Sequence, residues 1–277
     1  MPELPEVETI ATRLRIGGQN GCTSPSLVGK RIRNAHVLWH RTLVDPSPEE
    51  FNRQIIGQII QDVGRRGKYL LFSLSREFLL VHLRMSGDLV IETDNAVPAN
   101  HHRLMLDMEG GLRLSLNDPR KFARAWLTAT PDSLLGHLGP EPFDREFTPD
   151  IFYQRLKDRH RQLKPLLLDQ SFLAGLGNIY TDEALHLAKL HPLRISDTLS
   201  YHDAQRLWTS VRQVLSEGIR RSGASIDWVY RGGDFQNYFR AYHRSGEPCP
   251  ECGVPIHRII VGQRGTHICP HCQRLEE

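Results

Sequence analysis

Apolar and polar positions follow a helical period at the start of this chain. Within residues 3–17, apolar side chains from Val7 to Leu14 recur at the i, i+3, i+4 and i+7 spacing of an amphipathic helix. A Gly17-Gly18 pair follows and is typical of a helix end. The pattern therefore predicts a first helix with one buried face.

A two-residue period replaces the helical one after this helix. Eight short apolar or alternating runs follow, separated by turns that contain glycine, and they predict the strands of a β-sandwich or barrel. The predicted strands cover residues 31–39, 55–63, 69–74, 78–83, 88–92, 103–108, 112–116 and 122–127.

Helical periodicity returns after residue 131. Segments 148–163, 170–190 and 200–223 carry it, with Ser or Thr at two of their starts and glycine where the last one stops. From about residue 235 the pattern changes again to short strands around a group of cysteines. The order is therefore helix, β-region, helical region and a small cysteine-bearing region.

Composition adds limits rather than a function. The 277 residues are 39% hydrophobic and 24% charged, which is typical of a soluble protein with room for two domains. No apolar run approaches the ~20 residues that span a bilayer, and the acidic start lacks the apolar segment of a secretory signal. We therefore expect a reducing intracellular environment. A net charge of +3 permits nucleic-acid binding but does not argue for it.

Four cysteines near the end of the chain have the spacing of a metal site. Cys249 and Cys252 form one C-x-x-C pair, and Cys269 and Cys272 form a second pair sixteen residues later. Two such pairs match a four-thiolate zinc ribbon, whose single zinc is structural because all four positions are filled by protein. Disulfides are the alternative, which a reducing compartment disfavours. Cys22 stands apart in a Gly/Ser-rich loop and is expected to be a free thiol.

Two glycine-associated segments are candidates for phosphate binding. Arg65, Arg66 and Lys68 lie around a turn that contains Gly64 and Gly67, although a solvated hairpin tip is the favoured explanation of these residues alone. The Gly175-Leu176-Gly177 segment precedes a predicted helix, where small residues let backbone N–H groups approach a phosphate. Close helix packing would also require these glycines.

A third segment is distinguished by an apolar side chain next to cations. Arg120, Lys121 and Phe122 follow an Asp-Pro turn, and an exposed phenylalanine beside phosphate-binding charges is suited to enter a base stack. Arg84 and Met85 lie at the end of a predicted strand in the same half of the chain.

The chain start has a structural explanation that needs no function. Pro2 at a helix entrance loses no hydrogen bond, and the acidic Glu3 and Glu6 complement the positive end of the helix dipole. On these residues alone, helix-start chemistry is sufficient.

The combined motifs resemble the Fpg/Nei family of formamidopyrimidine-DNA glycosylases, base-excision enzymes that remove oxidised bases. PELPEVE, RRGKYL, HLRMSG, NDPRKF, GLGNIYTDEAL and GQRGTHICPHCQ occur in this order and cover nearly the whole chain. The resemblance implies an α+β multidomain protein. Residues 1–130 would form the N-terminal catalytic helix and an eight-stranded antiparallel β-sandwich, 131–234 a helical DNA-binding domain with a helix-two-turn-helix, and 235–277 the zinc ribbon.

The resemblance also implies a chemical role for the chain start. Once Met1 is removed, the Pro2 nitrogen would attack C1′ of the damaged nucleotide and form a covalent iminium after the base departs. Glu3 would handle protons, Glu6 would support the site, and Lys68 joins this catalytic set. Elimination on both sides of the lesion would make the enzyme a glycosylase and a lyase.

Six positions, Lys68 among them, match the family's DNA contacts. The residues implied to bind phosphates around the flipped nucleotide are Lys68, Asn178 and Arg264. The residues implied to fill the space left by the extruded base are Met85, Arg120 and Phe122. Arg120 would face the orphaned partner base, whereas Lys121 would meet phosphate or solvent.

The sequence departs from the family pattern at two places, of which the first is expected to be peripheral and the second bears on substrate choice. The loop at 17–28 is longer than the usual link, and the segment 227–239 is shorter than loops that cap an everted 8-oxoguanine. We therefore predict that formamidopyrimidines are excised at least as fast as 8-oxoguanine opposite cytosine, with some activity on oxidised pyrimidines. The alternatives are an endonuclease VIII-like enzyme for oxidised pyrimidines and a non-catalytic zinc-ribbon protein that binds damaged DNA.

The expected partner is double-stranded DNA that contains oxidised bases or abasic sites. We also expect a monomer without membrane attachment, located in a bacterial cytoplasm and associated with the nucleoid through its function.

Overall fold

The computed structural model describes residues 1–18, 24–225 and 232–275. The chain forms two compact units. The first contains Met1–Gly136 and Ser225–Gly233, and the second contains His137–Ala224 and Asp234–Glu277. Within the described ranges no helix has both the length and the apolar character needed to cross a bilayer.

Seven α-helices lie in the described residues, three of them with a hydroxyl cap at the start. They are α1 Leu4–Ile16, α2 Pro48–Ile55, α3 Asp132–Leu135, α4 Pro149–Lys157, α5 Leu163–Leu168, α6 Asn178–Leu187 and α7 Tyr201–Arg220. The Ser47, Thr148 and Ser200 hydroxyls accept the N–H of the third residue of α2, α4 and α7, which satisfies one otherwise unpaired donor in each helix.

The first unit contains two β-sheets. Its strands are β1 Ile32–Val37, β2 Leu43–Asp45, β3 Ile60–Arg66, β4 Tyr69–Leu74, β5 Phe78–His82, β6 Asp88–Thr93, β7 His102–Met108, β8 Leu112–Asn117 and β9 Arg124–Thr128. One sheet has the order β1-β7-β8-β6 and the other β2-β9-β5-β4-β3. Apolar residues from both sheets and from α1 share one hydrophobic core, which explains the alternating sequence pattern.

The α+β multidomain class is confirmed, and each predicted strand overlaps an observed one. The described part of the first unit holds nine strands rather than eight, because the three-residue strand β2 pairs with β9. This pair is parallel, whereas the other strand pairs are antiparallel. A three-residue strand is too short to show a sequence period.

The second unit combines a helical part with a β-hairpin. Helix α6 packs against α5, α7 and the hairpin formed by β10 His257–Val261 and β11 Arg264–Ile268. Gly262 and Gln263 connect these two strands with φ angles of 53° and 62°. Positive φ at both central residues is the geometry of a type I′ turn, which matches the twist of antiparallel strands.

Candidate active site and nucleic-acid-binding residues

The first turn of α1 places two acidic side chains beside Pro2. Pro2 is buried, and Glu3 and Glu6 are each 2% exposed. The Glu6 carboxylate accepts the Glu3 backbone N–H at 2.8 Å, one half of a capping box whose other half joins the Glu3 side chain to the Glu6 backbone. The structure therefore brings Pro2, Glu3 and Glu6 together at one helix end.

Lys68 lies in the two-residue turn between β3 and β4, where the pairing of Arg66 with Tyr69 closes the hairpin. Its side chain is buried, with 7% exposure, so the turn is not a solvated tip. Nearby, burial and the positive charges of Arg84 and Lys68 lower the pKa of His82 to about 3. The His82 Nδ1 accepts the Arg84 backbone N–H at 3.0 Å, which keeps this ring neutral.

The segment that carries Arg120 and Phe122 is organised around a buried carboxylate. Oδ2 of Asp118 accepts the N–H groups of Phe122 at 2.6 Å and Ala123 at 2.7 Å, and Oδ1 accepts that of Arg120 at 3.1 Å. The Arg120 guanidinium lies 5.0 Å from the centre of the Phe122 ring. Both side chains are exposed, as insertion into a base stack requires.

Met85 belongs to a neighbouring tight turn that is tied to the same carboxylate. The Ser86 hydroxyl donates a hydrogen bond to Oδ1 of Asp118. Gly87 closes the turn by donating to the Leu83 carbonyl at 2.9 Å, and a Cβ at Gly87 would lie only 2.6 Å from that oxygen. The structure thus brings Met85 into the same region as Arg120 and Phe122.

Lys121 has a contact that the sequence does not indicate. Its ammonium lies 4.2 Å from the centre of the Trp39 ring, a cation–π distance. Lys121 is exposed and takes a positive φ of 61°.

In the second unit, the two predicted phosphate contacts lie on elements that touch each other. Asn178 is the first residue of α6, and its Nδ2 donates to the Gly265 carbonyl at 3.1 Å. Arg264 precedes that glycine, directly after the hairpin turn, and its side chain is exposed. Helix N-terminus and hairpin turn therefore place Asn178 and Arg264 close together.

A buried ion pair supports this arrangement, and sequence reasoning missed it. The Lys164 ammonium contacts Oδ1 of Asp182 at 2.6 Å, with both side chains fully buried, and also donates to the Gly265 carbonyl at 3.1 Å. Oδ2 of Asp182 accepts the His267 backbone N–H at 2.9 Å. A lysine that follows no helical stripe gives little signal in the sequence, because its partner lies eighteen residues away.

The four cysteines fit one tetrahedral zinc ion. The sulfurs of Cys249, Cys252, Cys269 and Cys272 all lie within 4.8 Å of one another, and none of the four forms a disulfide. Four thiolates around Zn²⁺ at about 2.3 Å require sulfurs separated by nearly 4 Å. The zinc of this site is structural, because protein sulfurs fill every position.

Three features named from the sequence fall partly or wholly outside the described residues. These are the thiol Cys22, the loop at 17–28 and the segment 227–239.

Three parts of the chain match known protein domains in order. Residues 1–125 match the formamidopyrimidine-DNA glycosylase N-terminal domain, 138–229 its H2TH domain, and 246–275 the zinc finger found in FPG and IleRS. A glycosylase N-terminal domain followed by an H2TH domain and a zinc finger defines a class of multidomain DNA glycosylases.

Full-length relatives agree with these domain matches. The chain is 42% identical to the formamidopyrimidine-DNA glycosylase of Protochlamydia amoebophila (strain UWE25), over 99% of this chain and 100% of that protein. It is 41% identical to the protein of the same name from Pelotomaculum thermopropionicum, over the full length of both. The chain therefore belongs to the formamidopyrimidine-DNA glycosylase family.

Solved structures show the same fold. A Lactococcus lactis FPG mutant in complex with a Fapy-dG containing DNA superimposes with a TM-score of 0.90 at 35% identity, covering 99% of this chain and 100% of that one. MutM in complex with carbocyclic 8-oxo-G containing DNA superimposes with a TM-score of 0.88, with the same identity and coverage.

Proposed function

We propose that this protein removes oxidised purines, formamidopyrimidines and 8-oxoguanine, from double-stranded DNA and then cleaves the strand at the resulting abasic site. The observation that carries this proposal is the position of Pro2, buried at the entrance of α1 beside Glu3 and Glu6. Relatives in complex with Fapy-dG and 8-oxo-G containing DNA support the choice of purines.

The nucleophile of this proposal is the secondary amine of Pro2, released when Met1 is removed. Its nitrogen forms a bond to C1′ while the bond from C1′ to the base breaks. The departing base takes the bonding electrons and then a proton. Opening of the sugar converts the adduct into an iminium without any external oxidant. A free α-amino group titrates near pH 8, so about a tenth is neutral at pH 7, which is enough to react.

Glu3 is the proposed proton carrier of these steps. Its carboxylate lies one residue from the nucleophile and is held at the helix end by the capping box. Glu6, which accepts the Glu3 N–H, fixes the position of that residue rather than exchanging protons with the substrate. The iminium acidifies the neighbouring sugar hydrogens, so successive eliminations break the strand on both sides.

The proposed DNA contacts divide into phosphate binding and space filling. Buried Lys68 supplies a charge in the first unit, while Asn178 and Arg264 present a donor and a cation side by side in the second. Phe122 and Arg120 would enter the base stack together with Met85. Base flipping costs a few kcal/mol, and such insertions offset part of that cost.

The proposed partner is duplex DNA with an oxidised base or an abasic site. The monomeric state and the cytoplasmic location inferred from the sequence stay predictions, as do the domain limits at residues 130 and 234.

Borohydride trapping tests the proposal. Incubation with a duplex that contains one formamidopyrimidine should yield a reduced covalent adduct, and peptide mapping should place it on Pro2. Pro2→Gly should weaken trapping by at least ~10²-fold, whereas Pro5→Gly, which removes a proline from the same helical turn, should leave it within a few-fold. An N-terminal extension before Pro2 should abolish it. An adduct on a lysine, or binding without any adduct, would overturn the assignment in favour of another nucleophile or a non-catalytic binder.

A further inference from the structure

One face of α6 carries three polar side chains that all reach the zinc-bearing region. Asn178, Asp182 and His186 are spaced by four residues and therefore lie on one side of the helix. Asn178 contacts the Gly265 carbonyl, and Asp182 binds the His267 backbone, as described above. The third member of this α6 stripe, His186, has a partner of a different kind.

His186 contacts a zinc ligand. Its Nε2 lies 3.3 Å from the sulfur of Cys249, within hydrogen-bond range for sulfur. The histidine is 1% exposed and Cys249 is 3% exposed, so neither group relies on bulk water. The four cysteine sulfurs form a complete set without the imidazole, so His186 is not a fifth ligand.

The other ring nitrogen decides which way the proton lies. Nδ1 of His186 is buried and has no hydrogen-bond partner among the described residues. With the proton on Nδ1, a buried N–H would be orphaned and the Nε2 lone pair would face the lone pairs of a thiolate. With the proton on Nε2, the sulfur gains a donor and only a weaker acceptor stays unpaired.

We propose that His186 donates its Nε2–H to the zinc-bound thiolate of Cys249 and thereby holds zinc in the ribbon. Four thiolates and one Zn²⁺ carry a net charge of –2, which is costly in a buried site. A donor to one thiolate disperses part of that charge, so the thiolate stays on the metal longer. His186 is a positioning residue that acts through Cys249.

The test compares two substitutions at the same position. In His186→Gln the amide nitrogen can occupy the place of Nε2 and still donate, whereas His186→Phe keeps a ring of similar size without a donor. We expect a colorimetric chelator to remove zinc from the Phe variant at least ~10-fold faster than from the wild type, with the Gln variant in between or equal to the wild type. His191→Phe replaces another buried histidine of the same unit, one whose Nδ1 accepts the Leu193 N–H, and serves as control for general loosening.

Cobalt substitution gives a readout that packing alone would not move. In the Phe variant the sulfur-to-cobalt charge-transfer bands should shift to lower energy, because a thiolate without a donor is more electron-rich. Equal zinc release and equal cobalt spectra in the Phe variant and the wild type would overturn the proposal. Zinc release from the Gln variant that is as fast as release from the Phe variant would also overturn it.

A measurement on the unchanged protein covers the case in which a variant fails to fold. Nitrogen-15 spectra of the zinc-loaded chain distinguish the two neutral tautomers of His186. An Nε2–H signal that couples to cadmium-113 when this metal replaces zinc supports the hydrogen bond to Cys249. A proton on Nδ1 refutes it.

Discussion

The carboxylate of Asp118 accepts the backbone N–H of Phe122 at 2.6 Å. This contact belongs to a group in which three N–H donors and the Ser86 hydroxyl share two carboxylate oxygens. Each oxygen accepts two of these hydrogen bonds, so both oxygens of Asp118 stabilise the loop that presents Arg120 and Phe122.

Replacing this carboxylate should loosen the loop that carries Arg120 and Phe122. In Asp118→Asn one oxygen becomes an NH₂ group that faces two donors, and each orphaned buried N–H costs about 1–3 kcal/mol. We expect a clear loss of thermal stability and at least a ~10-fold weaker binding of lesion duplex. Ser86→Ala is the control, because it removes a single donor and should change stability by about 1 kcal/mol or less. Equal effects of the two substitutions would mean that Asp118 does not organise the loop.

Glu3→Gln should separate chemistry from binding. The glutamine oxygen can still accept the helix N–H, so α1 keeps its cap, while proton transfer is lost. Single-turnover base release should fall by ~10² or more, the scale of general acid–base catalysis, and gel-shift affinity should stay within a few-fold. Glu3→Ala should add a stability loss of about 1 kcal/mol from the missing cap. Parallel loss of release and affinity in the Gln variant would assign Glu3 a structural role only.

Zinc removal should act on DNA binding through Arg264. Chelation, or Cys269→Ser, should release one zinc per chain, unfold residues 245–277 and reduce affinity for DNA, because metal binding supplies folding free energy. Arg264→Ala in the zinc-loaded protein should lower the salt slope of binding by about one. If affinity survives metal loss and local unfolding, Arg264 does not bind phosphate.

Acid should destabilise the protein partly through His82. The folded state keeps this ring neutral with a pKa of about 3, whereas the unfolded chain takes up a proton near pH 6.5. The contribution of His82 to the free energy of unfolding is therefore fully present above pH 6.5. It is lost as pH falls toward 3, by at most about 1.4 kcal/mol per pH unit.

His82→Asn isolates this contribution. The Asn side-chain oxygen can accept the Arg84 N–H in place of Nδ1, and it does not titrate. Urea unfolding between pH 7 and pH 4.5 should show a shallower decline for the variant than for the wild type. Identical slopes would mean that His82 is protonated in the folded state as easily as in the unfolded one.

We expect base stacking and the length of the segment 227–239 to set the order of lesion preference. Ring-opened formamidopyrimidines stack poorly and present more polar groups than 8-oxoguanine, so they are easier to flip and need less capping. We expect single-turnover excision of a formamidopyrimidine opposite cytosine to be at least as fast as that of 8-oxoguanine in a matched duplex. An 8-oxoguanine rate ~10-fold higher, a gap of about 1.4 kcal/mol in barrier, would refute this order.

Hydrophobic period and residue spacing were sufficient to predict elements whose structure depends on residues nearby in the sequence. Residues 69–74 form β4 with the predicted limits, because a short run with five apolar side chains out of six is typical of a buried strand; burial alternates along it in the structure. The two C-x-x-C pairs likewise predicted a cluster that is local in sequence. Helix α2 was not predicted, although Ser47 followed by Pro48 is a helix-start signal. The helix has only eight residues, and the strand expected at 55–63 overlaps the last of them.

Contacts between distant residues could not be predicted in the same way. Lys164 meets Asp182 and Gly265, and His186 meets Cys249 sixty-three residues away. No local period relates such partners, and a lone buried lysine or histidine resembles ordinary helix composition. The sequence showed Asp118 only as part of a turn, because three of its four hydrogen-bond donors are backbone N–H groups, which every residue but proline carries.

The α6 stripe limits how this protein can be recombined with others. The segment 246–275 looks like an independent module, since a metal holds it together. Grafted onto an unrelated helix, however, it would present the Gly265 carbonyl, the His267 N–H and the Cys249 sulfur to side chains of the wrong chemistry. A chimera that exchanges this region should therefore carry Asn178–Leu187 from the same parent, and shuffled libraries should retain few members that separate the two.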